Sequence, residues 1–184
     1  MRRTHEDILD ELLVLQCQEG DAAALRKLVG RWHPRLTRLA WRLTAEREVV
    51  RDIVQDAWLA IVKGLNRLDD PSRFRTWAYR IVRNKCADWS RRGAAGRNAA
   101  KELRGVAATA ALSNNAGPAG ELSEVRRALA GLPAEQRAML SLHYLDGIGL
   151  SEVARVLGVP KGTVKSRLFH ARARLRDSLE RMKS

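Results

Sequence analysis

The chain is 184 residues long, enough for one medium domain or two small ones, and carries a formal net charge of +13 with a pI near 10.9. That excess calls for a polyanionic partner, because each neutralised phosphate releases condensed counterions. No apolar run approaches the roughly 18 residues of a spanning helix, and MRRTHEDILDELL, with four acidic residues by Glu11, is no secretory leader, so a cytoplasmic protein without a membrane segment is expected.

Residues 1–14 read as an N-terminal extension. The first apolar stripe at helical spacing runs through Leu25, Leu28, Val29, Trp32, Leu36, Leu39, Ala40 and Leu43, with Pro34 predicting a kink or a break. A second stripe joins Val50, Ile53, Val54, Ala57, Trp58, Ile61 and Leu65. The stretch 66–73, NRLDDPSR, is a turn-rich loop, since the residue before Pro71 is biased away from helix. A third stripe joins Phe74, Trp77, Ala78, Ile81, Val82 and Trp89. Lys85 falls on its apolar side, which predicts a snorkelling side chain or a bend. Residues 93–121 hold ten Ala, five Gly and no aromatic, and read as a flexible linker with fleeting helical turns. All five Trp precede that linker.

The second domain, 122–184, opens with Leu122, Val125, Leu129 and Leu132. Pro133 then suits the first turn of a helix bearing Met139, Leu140 and Tyr144. Gly149 and Glu152 form half a capping box ahead of a stripe at Val153, Ala154 and Leu157, which ends at Gly158. After a turn at Pro160 and Gly162, another stripe follows Val164, Leu168, Ala171 and Leu175. From Pro160 to Ser184 there are eight Lys/Arg against two acids. Two helices joined by so short a turn, the second basic on its open face, form a helix-turn-helix with a recognition helix. No alternating strand pattern persists anywhere, so the fold class is all-α: domain 15–92, linker 93–121 and domain 122–184.

Taken together, these stretches resemble the extracytoplasmic-function sigma factors, the two-domain sigma subunits of bacterial RNA polymerase. GDAAALRKLVGRWHPRLTRLAWRLT looks like the opening of sigma domain 2. EVVRDIVQDAWLAIVKGL is similar to the family's polymerase-binding helix, and FRTWAYRIVRNKCADWSRR to its −10-melting segment. LPAEQRAMLSLHYLDGIGLSEVARVLGVPKGTVKSRLFHARARL is similar to sigma domain 4, which reads the −35 element. The resemblance covers about residues 15 to 180, in family order and spacing. It departs at Gly149, where the family usually has Ser or Thr, and at His170, where a basic residue is common. It implies a non-catalytic subunit whose partners are core RNA polymerase (β′ and β subunits), promoter DNA and, as for many family members, an anti-sigma factor.

Candidate residues follow. Asp52, Gln55, Asp56, Leu59 and Lys63 share one helical face opposite the Ile53–Ala57–Ile61 stripe. An apolar Leu59 amid polar neighbours suits a partner surface, which the resemblance assigns to the polymerase through Asp52, Gln55, Asp56 and Leu59. From Arg73 to Arg92 there are seven Lys/Arg and one Asp, interleaved with aromatics. Arg80 and Arg83, on one face with Thr76, would track the backbone of melted −10 DNA, and Trp77 and Tyr79 would stack on its bases. The resemblance gives Asn84 a flipped base, which would be enclosed if loop 66–73 folded back over the helix. In the recognition helix Lys165, Ser166, Arg167 and His170 should meet base edges, and Lys161 and Thr163 phosphates.

Two rivals remain open at this point. One is a stand-alone helix-turn-helix transcriptional regulator. The other is a thiol- or metal-dependent sensor using Cys17 and Cys86, although no CxxC and no ligand-spaced histidine accompanies them, so no metal and no cofactor are expected.

Overall fold

Six of the first fifteen residues are Ile, Leu or Val between positions 8 and 15, too many for one face of a helix. They form helix α1, His5–Gln18, in a computed structural model that describes residues 4–100, 128–129 and 131–183. Thr4 caps it reciprocally: its hydroxyl accepts from the Asp7 amide at 3.2 Å, and Asp7 Oδ2 accepts from the Thr4 N–H at 2.9 Å. The stretch expected to be an extension is therefore, from His5 on, an integral helix. Its apolar residues wrap round two faces, so no single stripe betrayed it.

Asp21 caps helix α2, Ala22–Thr44, accepting from the amides of Ala23 and Ala24. The helix passes through Pro34 unbroken. Pro34 lies on the exposed side, where its ring displaces solvent rather than core. α3 spans Arg47–Gly64 and buries Val50, Ile53, Val54, Ala57 and Ile61, as its stripe predicts. Two 3₁₀ turns, Leu65–Arg67 and Pro71–Arg73, make the loop. Asp70 Oδ1 accepts from the Ser72 amide and hydroxyl, and these bonds together with Arg73 hold its carboxyl below the usual carboxylate range. α4 then runs Phe74–Ala100, so 93–100 of the expected linker are helical, consistent with their alanine content. Residues 101–121 of that linker lie outside the described residues.

This first unit closes on Trp32, which is wholly buried. Its ring meets Phe74 edge-on at 5.3 Å and Tyr79 at 5.5 Å, and the Arg35 guanidinium lies 5.1 Å from its centroid. Charge then fastens α1 to the rest. Arg31 binds Asp10 at 2.8 Å, Arg35 binds Glu6 at 2.7 Å, and Arg75 approaches Asp7 at 3.4 Å. Burial acts to raise the Asp7 carboxyl, but Thr4, Arg75 and Arg35 outweigh it and the net shift is downward. Gln18 Nε2 donates to the carbonyls of Leu65 and Leu68, both at 2.9 Å, pinning the loop against α1.

In the second unit Ala128 and Leu132 are buried; Leu122 and Val125 lie outside the described residues. Pro133 precedes α5, Ala134–Tyr144, at the N-cap position and makes no side-chain capping bond. α6 is Leu150–Leu157 and α7 is Lys161–Lys183. Glu152 accepts from the Gly149 N–H at 3.3 Å, while glycine offers no side-chain acceptor in return. Gly158 ends α6 with φ +66°, a left-handed conformation that favours glycine. His143 Nδ1 contacts the Ile148 carbonyl at 2.8 Å, which makes Nδ1 the protonated nitrogen and ties α5 to the start of α6. Met139, Leu142, Ile148, Val153, Val164, Leu168 and Ala171 fill the core.

Candidate functional site

Three surfaces carry the residues singled out in the sequence. On α3, Asp52, Gln55, Asp56 and Leu59 are all exposed on the face opposite the buried stripe, with Leu59 at 54%. Val62 joins them at 46% exposed, three residues beyond Leu59 and seven beyond Gln55. That spacing could have identified it. Asp56 is not a free acid: Lys85 reaches it from α4, Nζ to Oδ2 3.7 Å. Lys85 therefore does snorkel, and its target is this carboxylate.

On α4 the expected face divides. Arg80 and Asn84 are exposed, Arg83 is half-buried, and Arg83 Nη1 donates to Asn84 Oδ1 at 3.3 Å. Trp77 is half-buried against the end of α3, where a Cβ on Gly64 would come within 2.9 Å of its ring. Tyr79 corrects the sequence reading. It is fully buried against Trp32 and so has no face to offer a base. Its spacing to Val82 and Cys86, three and seven residues on and both buried, carried that information. Thr76 is buried too. Nor is loop 66–73 folded over Asn84. Gln18 holds it to α1, and Asn84 stands about 15 Å along the helix from Phe74.

On α7, Lys161, Lys165, Ser166 and His170 are exposed, and Thr163 and Arg167 are half-buried. Ser166 Oγ donates to the Thr163 carbonyl at 3.1 Å, leaving its lone pairs outward as acceptors for a base amino group. Arg167 is engaged by Glu135 of α5 at 2.8 Å, which draws its guanidinium toward the flank of the helix. Phe169, exposed beside Ser166 and His170, was not anticipated; an apolar ring there can meet a thymine methyl.

Cys17 and Cys86 are free thiols. Burial, reinforced at Cys17 by Asp21, raises both, Cys86 to about 12, which keeps its thiol protonated and unreactive at neutral pH. Among the described residues no cluster of His, Cys, Asp and Glu could hold a metal ion, and no helix is long and apolar enough to cross a membrane.

Two family models match the chain: sigma-70 region 2 over residues 28–95 and sigma-70, region 4 over residues 122–175. The ECF RNA polymerase sigma-E factor of Escherichia coli strain K12 is 32% identical over 177 residues, covering 91% of this chain and 92% of the relative. The ECF RNA polymerase sigma factor SigM of Mycobacterium tuberculosis strain H37Rv is 38% identical over 172 residues, covering 93% and 84%. Among solved structures, CnrH in complex with the cytosolic domain of CnrY is 30% identical with a TM-score of 0.65, covering 94% of this chain and 97% of that one. The sigma factor RpoE in complex with the anti-sigma factor NepR from Bartonella quintana shares the fold, at TM-score 0.72 and 24% identity over 85% of this chain and 96% of that one.

Proposed function

Since the chain belongs to the extracytoplasmic-function sigma factors of the sigma-70 family, we propose that it binds core RNA polymerase through the α3 face, reads the −35 element with α7 and captures melted −10 DNA along α4. The observation that supports this most directly is the pairing, in one chain, of a basic helix-turn-helix with a separate unit that joins an exposed Leu59 on an acidic face to a basic α4. A helix-turn-helix regulator with an N-terminal effector or dimerisation domain needs neither the exposed α3 face of Asp52, Asp56 and Leu59 nor the arginine-rich α4. The chain acts as a non-catalytic cytoplasmic specificity subunit, the unit that begins with α1 and residues 122–184 forming its working domains, and an anti-sigma factor is a natural controlling partner.

The test is run-off transcription on fragmented genomic DNA from the source organism. Defined transcripts should arise only when the chain and core polymerase are both present. Tight binding to duplex DNA without polymerase, and no transcripts with it, would indicate a regulator instead.

On α7 the roles separate. Lys165 is exposed, whereas Arg167 must leave Glu135 to reach DNA. Lys165→Ala should cost about 1–3 kcal/mol at a −35 element whose guanine it reads, and should relax preference at that base pair. Arg167→Ala should cost less. If Lys165 touches only phosphate, the loss is uniform across sequences and the salt slope falls by about 0.9. Promoter binding measured against −35 variants over a salt series distinguishes the two.

Asn84 offers an amide donor and acceptor on the open side of α4, its Oδ1 already steadied by Arg83. It contacts one unpaired −10 base, with Arg80 and Arg83 on the backbone and Trp77 at the edge of the site. Asn84→Ala should impair open-complex formation on duplex promoters, and a pre-melted bubble should restore activity only in part. Permanganate footprinting checks this; wild-type use of every −10 variant by Asn84→Ala would remove the assignment.

A further inference from the structure

Lys85 stands at the seam between the surfaces assigned to polymerase and to −10 DNA. On α4 it directly follows Asn84, which is exposed as Arg80 is. Its neighbours one turn away, Ile81 and Trp89, are half-buried, and so is Lys85 itself. Its stem runs over the α3 side of the helix, and Nζ reaches Asp56 Oδ2 at 3.7 Å. Asp56 in turn belongs to the exposed face of α3 with Asp52, Gln55 and Leu59. One ion pair therefore ties the acidic face to the basic helix.

That pair is weak enough to exchange. The Asp56 side chain is 56% exposed and that of Lys85 35%, and half-solvated pairs of this kind hold by about fivefold at most. Other cations of α4 are engaged elsewhere. Arg75 faces Asp7 of α1 at 3.4 Å, and Arg91 pairs with Asp88 on α4 itself. Neither of those carboxylates lies on the α3 face. Lysine also carries a compact ammonium on a flexible four-carbon stem, so it can change acceptors without any movement of the helix.

Given the assignment of α3 to polymerase and α4 to melted DNA, on which this rests, we propose that Lys85 is an exchangeable cation coupling the two surfaces. In the free chain Asp56 holds it; when polymerase engages Asp56, Lys85 swings to a phosphate of the melted −10 strand. An acidic face selects a basic partner surface. A polymerase cation beside Asp56 takes over its charge and repels the Lys85 ammonium. The strand lying along Arg80, Arg83 and Asn84 then supplies the anion that Lys85 has lost. Coupling of this kind acts both ways: DNA that draws Lys85 away from Asp56 tightens polymerase binding by the same factor.

The experiment uses a labelled single-stranded oligonucleotide from the −10 region of a promoter found by run-off transcription. Its binding to the full-length chain is measured with and without core polymerase, over a salt series. Lys85→Met, which keeps the stem, should weaken the holoenzyme about threefold and leave the free chain unaltered, since Asp56 already occupies Lys85 there. The slope of log affinity against log salt should shrink by about 0.7 in the holoenzyme only, as for one lost single-strand phosphate contact. A purely structural role would shift the melting temperature and not that slope. Asp56→Asn should strengthen binding by the free chain about threefold more than Asp52→Asn, which removes the same charge from the same face. Lys85→Met should cancel that excess. The oligonucleotide should also tighten core binding about threefold more for wild type than for Lys85→Met. Wild-type affinity and slope in the Lys85→Met holoenzyme, or Asp56→Asn no better than Asp52→Asn, overturns the proposal. So do equal losses in free chain and holoenzyme, which would make Lys85 a permanent contact. If Asn84→Ala weakens the holoenzyme and Lys85→Met does not, the coupling falls and the −10 reading stands; if neither does, both fall.

Discussion

Trp32→Ala should unfold the first unit or leave it barely folded, at a cost of about 3–5 kcal/mol. Trp32 is wholly buried, is the ring against which Phe74 and Tyr79 pack, and lies under the guanidinium of Arg35. Removing it opens a cavity where α2 and α4 meet and loosens Arg35, which is bound to Glu6 of α1. A small domain has only about 5–15 kcal/mol of net stability to lose. Trp32→Phe should be much milder. It keeps most of the volume and deletes an indole N–H that has no acceptor among the described residues. Because all five tryptophans belong to the first unit, their fluorescence during urea unfolding reports on that unit alone. A wild-type midpoint for Trp32→Ala would mean the core is organised around something else.

Leu59→Arg should weaken association with core polymerase by about 10–100-fold, equivalent to ~1.4–2.8 kcal/mol, while leaving the melting curve in place. Half of the Leu59 surface is already in water, so the substitution removes little internal packing. Asp52→Lys on the same face should add to the loss. Asp56→Lys is a poorer probe, because it would set a cation against Lys85 and disturb the α3–α4 contact as well. Binding of labelled core enzyme to the folded variants measures this. Unchanged affinity for Leu59→Arg would move the polymerase surface off α3.

Most of this architecture was legible because the inward stripes of α2, α3 and α4 keep a helical period, and because Gly158 and Pro160 punctuate the helix-turn-helix. α1 was not, since its apolar residues serve two faces and leave no polar side to define a period. Of the two outcomes Pro34 allows, a kink or a break, the break does not occur. Proline signals a break, but on a solvent-facing turn of a helix packed along its whole opposite side the lost bond is outweighed by burial of Trp32, Leu36 and Leu39. The exposed face of α3 was readable from spacing, and Val62 extends it. Tyr79 shows where residue type competes with position. An aromatic in a basic segment suggests base stacking, yet its place with Val82 and Cys86 makes it core. No pattern along the chain could have disclosed Arg167–Glu135 or Lys85–Asp56, because pairing across helices depends on how those helices cross.

The Arg167–Glu135 pair bears on how quickly this protein finds its targets. A chain so cationic adheres to any duplex, and every unpaired guanidinium lengthens each stop at an irrelevant sequence. Arg167 already has a carboxylate at 2.8 Å, so a passing phosphate gains it little. Only an acceptor pair as good as the edge of a guanine repays the exchange. On the proposed −35 reading by α7, Glu135 would shorten residence on random DNA more than on a cognate element, trading a little final affinity for a faster search.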